Sequence, residues 1–219
     1  MGIMPTPVRP ARGADAALRD LAEAIAAGDT AKASSLLTAS PELAKSSFRS
    51  GAIRQTAKAN FLDQIKRYIY EGDTALHIAA AAYQSALVRM LIKAGADVGA
   101  GNRLGDQPIH AASVGIPGSS YWNPTAQVAT IRCLIQAGAD PNATDKRGVT
   151  ALHRAVRTRC AEAVKTLLEC GADPARPNKN GSTPMLLATM TTGRGGSGSP
   201  EAKGQQEEII RILKQRLSG

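Results

Sequence analysis

The stretch Gly148-Val-Thr-Ala-Leu-His153, followed downstream by Gly171-Ala-Asp173, decides the fold because close copies of it recur along the chain. The first motif returns as Gly72-Asp-Thr-Ala-Leu-His77, Gly105-Asp-Gln-Pro-Ile-His110 and Gly181-Ser-Thr-Pro-Met-Leu186. The second returns as Gly95-Ala-Asp97 and Gly138-Ala-Asp140. The leading glycines lie 33, 43 and 33 residues apart, so the chain repeats every 33 residues, with an insertion of ten residues in one interval.

Each copy has the pattern of a turn, a short helix, a second helix and a glycine stop. In the unit that begins at Gly148, residues 152–156 form the predicted inner helix. Val164, Leu167 and Leu168 share one face of the predicted outer helix. A single helix pair of this kind cannot bury both of its faces, so neighbouring pairs must stack on one another.

A 33-residue period that carries these two motifs resembles the ankyrin-repeat family, and the chain looks similar to stand-alone bacterial ankyrin-repeat proteins. The resemblance implies an all-α solenoid of about five helix-pair repeats with three loop insertions. We expect the repeats at 14–44, 70–101, 103–144, 146–177 and 179–219, after a flexible N-terminal segment over residues 1–13.

The three insertions interrupt this period, and loops grafted on a repeat often carry function. The first adds 22 residues within 45–71, as a finger insertion between the first two units. Its apolar residues Phe61, Leu62, Ile65, Tyr68 and Ile69 fall at helical spacing. This spacing predicts a small helix whose apolar face packs on the repeats, an interpretation we favour over a direct partner anchor.

The second insertion spans residues 114–124, and the third adds about a dozen residues around 192–200. Both should emerge on one edge of the solenoid, beside a short turn that carries two arginines. We predict that five side chains converge there around a small anionic ligand: Tyr121, Trp122, Arg157, Arg159 and Arg194. In the competing interpretation, Trp122 folds back onto its own unit and buries itself.

The three histidines, His77, His110 and His153, all occupy the same repeat position. In the ankyrin family this histidine ties adjacent turns together by hydrogen bonds, and the resemblance implies that role here. None remains for a Ser–His or Cys–His catalytic pair, so we expect no enzymatic activity, no metal and no cofactor. The three cysteines lack CxxC spacing, and reduced thiols in a cytoplasm fit this pattern best.

The net charge of +9 is concentrated in residues 146–219, which hold thirteen basic and six acidic residues. The resemblance implies partner contacts at the finger tips and along the exposed side of the inner helices. Carried over by alignment, these positions are Tyr70, Asp73, Arg103, Asp106, Lys146, Arg147, Arg157, Lys179 and Asn180. Arg154 stands where the family normally has a leucine. A purely structural explanation of this charge is a salt bridge to a neighbouring unit.

The leading prediction is therefore a protein-binding module, an adaptor or an inhibitor, whose basic groove recognises an acidic or phosphorylated protein surface. The alternative is a receptor for a small anionic ligand between the 114–124 and 192–200 loops. Nucleic acid is disfavoured because no RNP, helix-turn-helix or zinc motif appears. No apolar run approaches the roughly 20 residues that span a bilayer, so we expect a cytoplasmic monomer without membrane contact.

Overall fold

The computed structural model describes residues 12–190 and 199–218, which form ten α-helices in five successive pairs. The pairs are α1 (Arg12–Ala26) with α2 (Thr30–Ala39), α3 (Ala75–Ala81) with α4 (Ser85–Lys93), α5 (Pro108–Ala112) with α6 (Pro124–Gln136), α7 (Ala151–Arg157) with α8 (Ala161–Glu169), and α9 (Pro184–Thr189) with α10 (Pro200–Leu217). The predicted all-α solenoid is confirmed.

The pairs stack in chain order, because each of the inner helices α1, α3, α5, α7 and α9 packs against the next. Their contact faces are rich in buried alanine, and these small side chains let neighbouring helices approach closely. Larger side chains fill the space between the inner and outer layers; Leu76, Ile109 and Leu152 are fully buried there. Burying each such side chain contributes roughly 1.5–3 kcal/mol, so stability accumulates along the stack.

The finger insertion forms a hairpin instead of the predicted helix. Strand β1 (Phe61–Leu62) pairs antiparallel with β2 (Arg67–Tyr68), and a 3-10 turn over Lys58–Asn60 precedes them. The pairing places the ring of Phe61 4.7 Å from that of Tyr68. Lys66 adopts the left-handed backbone conformation, with φ +49°, which reverses the chain between the strands and is incompatible with a continuing helix.

The insertion nevertheless packs apolar side chains on the repeats, because Phe48, Leu62 and Ile69 all lie in the buried core. Its backbone also pairs with the loop that precedes α3. Phe48 N–H donates to Asp73 O at 2.8 Å and Gly72 N–H donates to Phe48 O at 2.8 Å, while Ala52 N–H donates to Ile69 O at 2.7 Å within the insertion. The insertion therefore stacks on this loop much as one repeat stacks on the next.

The loops that precede α3, α5, α7 and α9 form a row of four fingers, over residues 69–73, 102–106, 145–149 and 178–182. Each finger turns at a glycine with a positive φ. At Gly105, φ is +80°, and a Cβ atom there would lie 2.8 Å from the backbone N of Lys146 in the next finger. At Gly181 φ is +77°, but a Cβ atom would meet nothing within 4 Å. Comparing the two glycines therefore distinguishes the cost of backbone strain, which both share, from the cost of the close approach between fingers, which only Gly105 has.

We expect Gly105→Ala to lower the free energy of unfolding by at least about 1 kcal/mol more than Gly181→Ala does. Both variants carry the same penalty for a left-handed alanine and the same change in the unfolded chain. Only the variant at Gly105 must also push the neighbouring finger away. Urea unfolding of the two variants measures the difference, and equal losses would show that the fingers are not in close contact.

Candidate functional site

The four fingers are held in register by one backbone hydrogen bond at each junction. Arg103 N–H donates to Glu71 O at 2.7 Å, Lys146 N–H donates to Leu104 O at 3.0 Å, and Lys179 N–H donates to Arg147 O at 3.0 Å. The donors occupy equivalent places in successive fingers. The side chains of these donors, together with Arg147 beside Lys146, stand in a row, which we call the finger row.

The finger row is basic and exposed. Within the described residues, the side chains of Lys146 and Lys179 are exposed and make no hydrogen bond or ion pair. Arg147 is 62 % exposed and contacts Asp145 at 3.3 Å. Arg103 is also exposed, but its guanidinium donates to Ala52 O at 2.7 Å and lies over the Tyr70 ring at 5.3 Å from the centroid.

Two predicted groove residues, Asp73 and Asp106, are buried, so the expectation that they are exposed is wrong. Each follows the finger glycine, and its carboxylate turns into the base of the finger. Asp73 accepts hydrogen bonds from Tyr70 N–H at 2.9 Å and from Asn102 Nδ2 at 2.8 Å, and it pairs with Arg67 of the insertion. These carboxylates organise the fingers and leave the row without their negative charge at its surface.

Arg154 lies between two buried carboxylates, as the salt-bridge explanation of its charge requires. Its guanidinium contacts Asp106 of the preceding unit at 2.5 Å and Asp145 at 3.2 Å. Burial alone would raise the pKa of Asp145. Hydrogen bonds from the backbone N–H groups of Val149 and Arg147, together with the charges of Arg154 and Arg147, lower it instead.

The predicted edge site is divided. Arg157 and Arg159 line a cavity of about 250 Å³ between the fourth and fifth units, but Tyr121 and Trp122 do not, which corrects the expectation that all of them converge. Arg194 lies outside the described residues. The other polar groups of this cavity come from Asn178, Asn180, Ser182 and Gln206.

Trp122 instead bonds to its own unit and lies beside Cys160 in the turn of the fourth unit. Its indole N–H donates to Gln127 Oε1 at 3.0 Å, and Gln127 in turn donates to Ala112 O. A Cβ atom on Gly115 would lie 2.6 Å from the Trp122 ring and 2.7 Å from Cys160 Sγ, so the loop closes tightly over both. Burial raises the pKa of Cys160 to about 11, which keeps this thiol protonated.

Comparison with known families supports the repeat assignment. A family model of the ankyrin repeat matches residues 71–103, and a model of ankyrin repeats in three copies matches residues 125–216. Together these matches cover more than half of the chain. The chain belongs to the ankyrin-repeat family. Ankyrin repeats generally mediate interactions between proteins and are typically non-catalytic.

No curated protein matches this ankyrin-repeat chain significantly. Within residues 12–190 and 199–218, no helix combines the length and the apolar character needed to cross a membrane. Over the same residues, no three His, Cys, Asp or Glu side chains form a cluster that could hold a metal ion.

The ankyrin histidines link successive units, as the family resemblance implies. His77 Nε2 bonds to Asp106 O at 2.9 Å, His110 Nε2 to Val149 O at 3.1 Å, and His153 Nε2 to Ser182 O at 3.1 Å. All three rings are buried. Burial lowers the pKa of each ring below its ordinary value, so the neutral form holds these links.

Asn178 and Gln206 were not predicted from the sequence. Asn178 had a usable signal, since Asn102, Asp145 and Asn178 each precede a finger glycine by three residues. Each of these side chains accepts hydrogen bonds from two backbone N–H groups of its own finger. Gln206 belongs to α10, outside the repeated motifs, and no sequence pattern pointed to it.

We expect Arg154→Ala to lower the free energy of unfolding by about 1–3 kcal/mol, because it leaves Asp106 buried without its cation. The loss should be smaller than for a fully buried pair, since the Arg154 side chain is 22 % exposed. Chemical denaturation measures this loss. The double variant Arg154→Ala/Asp106→Ala should lose less than the sum of the two single variants.

Arg157→Ala is the matched control, because Arg157 lies on the same helix, is exposed and has no partner among the described residues. It should change stability by less than about 0.5 kcal/mol. An Arg154→Ala protein as stable as this control would contradict a stabilising role for the ion pairs.

The three buried histidines should make stability depend on pH. Their pKa values are lowered on folding, so their contribution is complete above the unfolded value of about 6.5 and falls as the pH drops below it. Urea midpoints should therefore decrease between about pH 7.5 and pH 5.5. His77→Gln should make that decrease shallower, whereas an unchanged midpoint in the parent protein would show that the rings are not held neutral.

Proposed function

We propose that this ankyrin-repeat protein is a non-catalytic adaptor or inhibitor that binds an acidic or phosphorylated surface of another protein through the finger row. The proposal rests on Lys146, Arg147 and Lys179, which lie on neighbouring fingers, point to solvent and are joined through their backbones. We propose in addition that the chain acts as a cytoplasmic monomer.

The position of the acidic residues supports this proposal as much as the basic ones do. Asp73, Asp106 and Asp145 are all buried and occupied by partners within the fingers. Glu71 is the one exposed carboxylate among the residues of the four fingers, so an approaching molecule meets mainly lysine and arginine side chains there. A surface of one sign attracts an oppositely charged partner and speeds its association, with a strong dependence on salt.

The rigidity of the row favours a folded or extended protein surface as the partner. Because backbone hydrogen bonds fix the spacing of the cations, less conformational freedom is lost on binding. The alternative ligand is a small anion between the 114–124 and 192–200 loops. That site would need Trp122 to cover the anion, but the Trp122 indole N–H already donates to Gln127. We therefore place the partner on the fingers.

We expect Lys146→Glu/Lys179→Glu to weaken partner binding by roughly tenfold or more, which corresponds to about 1.4 kcal/mol. These lysines are the cleanest positions to test, since Arg103 and Arg147 also make contacts within the protein. Binding to an array of acidic and phosphorylated peptides, read by fluorescence polarisation, measures the effect. Affinity capture from cell extract, with the parent and the variant as bait, then identifies the partner.

The control is Lys93→Glu/Lys165→Glu, which makes the same charge change at exposed positions on the outer helices α4 and α8. It should retain every ligand that the parent protein binds. If the control and the finger variant lose affinity equally, net charge rather than the finger row governs binding.

A further inference from the structure

We call the cavity between the fourth and fifth units the junction pocket. Its polar lining consists of cationic and neutral groups. Arg157 and Arg159 come from the end of α7 and the turn after it, whereas Asn178, Asn180 and Ser182 come from the last finger. Gln206 reaches the pocket from α10. Among the described residues that line it, none carries a carboxylate.

Several of these groups have no partner within the described residues. The Arg157 guanidinium makes no hydrogen bond or ion pair there, and neither the Asn180 amide nor the Ser182 hydroxyl is engaged. By contrast, Asn178 is occupied by backbone N–H groups and Gln206 by the carbonyl of Ala188. The pocket thus offers a cation, an amide and a hydroxyl to a ligand without first breaking bonds within the protein.

The size of the junction pocket limits what it can hold. Its volume of about 250 Å³ lies below the roughly 300–1,000 Å³ of pockets that enclose whole small molecules. Val156, Leu187 and Ile209 give it an apolar wall behind the polar rim. This combination suits the end of one side chain, with an aliphatic stem and a charged tip.

We infer that the junction pocket receives one phosphorylated side chain of the protein partner. A phosphate group carries about two negative charges and three acceptor oxygens, and a guanidinium, an amide and a hydroxyl together supply matching donors. Asn180 directly follows Lys179, so the pocket continues the finger row. The inference rests on the proposed function and adds to it a single anchoring site.

The test is a titration of the 219-residue chain, labelled with ¹⁵N and followed by amide and arginine Nε chemical shifts. The probes are a phosphoserine tripeptide, the same tripeptide with serine or glutamate, and inorganic phosphate. The phosphoserine tripeptide should cause saturable shifts that cluster at Arg157, Asn180 and Ser182. It should bind at least tenfold more tightly than the glutamate and serine tripeptides and than inorganic phosphate.

Arg157→Gln should reduce the affinity for the phosphoserine tripeptide by at least tenfold while leaving the unfolding midpoint unchanged, since Arg157 is exposed. Arg89→Gln removes another exposed arginine, from α4, and should have no effect on binding. Equal affinity for the glutamate tripeptide would overturn the phosphate assignment, and equal affinity for inorganic phosphate would overturn a side-chain ligand.

The outcome separates the pocket from the finger row. If Arg157→Gln leaves phosphoserine binding unchanged, or the shifts fall elsewhere, the pocket inference fails. The finger row then still stands wherever Lys146→Glu/Lys179→Glu weakens binding of the captured partner. If the pocket saturates with the phosphoserine tripeptide but the lysine variant binds that partner normally, the site exists and the finger row is the part that fails.

Discussion

The hydrogen bond that each finger donates to its neighbour is the constraint on which the binding surface depends. A helix pair can slide on an alanine-rich face, since small side chains interlock weakly. Backbone hydrogen bonds from Arg103, Lys146 and Lys179 to the preceding finger prevent this sliding. The hydrogen bonds from the three buried histidines to carbonyl groups of the next finger prevent it as well. Because donor and side chain belong to the same residue, the contact that aligns the repeats also aligns the cations.

The repeat period could be predicted from the sequence because its two motifs recur several times and give the same spacing at several independent positions. The insertion at 45–71 occurs once, and apolar spacing alone could not separate a helix from a hairpin there. Phe61, Leu62 and Ile69 satisfy both patterns. What decides between them is the pairing of Ala52 with Ile69 and of Phe48 with Asp73, contacts set by tertiary packing rather than by local propensity.

The same distinction explains the predicted site. Exposure of Lys146, Arg147 and Lys179 follows from their place at the finger tips, which the repeat alignment identifies. The burial of Asp73 and Asp106 depends on Arg67 and Arg154, which come from the insertion and from a position that departs from the family pattern. Likewise, Trp122 could be placed only through Gln127, a partner that no motif marks. Each of these contacts depends on a residue that does not recur from repeat to repeat, so the 33-residue period gives no information about it.

Arg154 connects the stability of the solenoid to the charge of its surface. A leucine at this position would leave Asp106 and Asp145 without their shared cation, and their negative charge would then oppose the cations on the fingers. The Arg154 guanidinium approaches the two carboxylates from α7, and Arg147 of the finger row also pairs with Asp145. The field at the finger row therefore depends on a buried ion pair as well as on exposed lysines. A change beneath the fingers can alter binding without touching any residue that meets the partner.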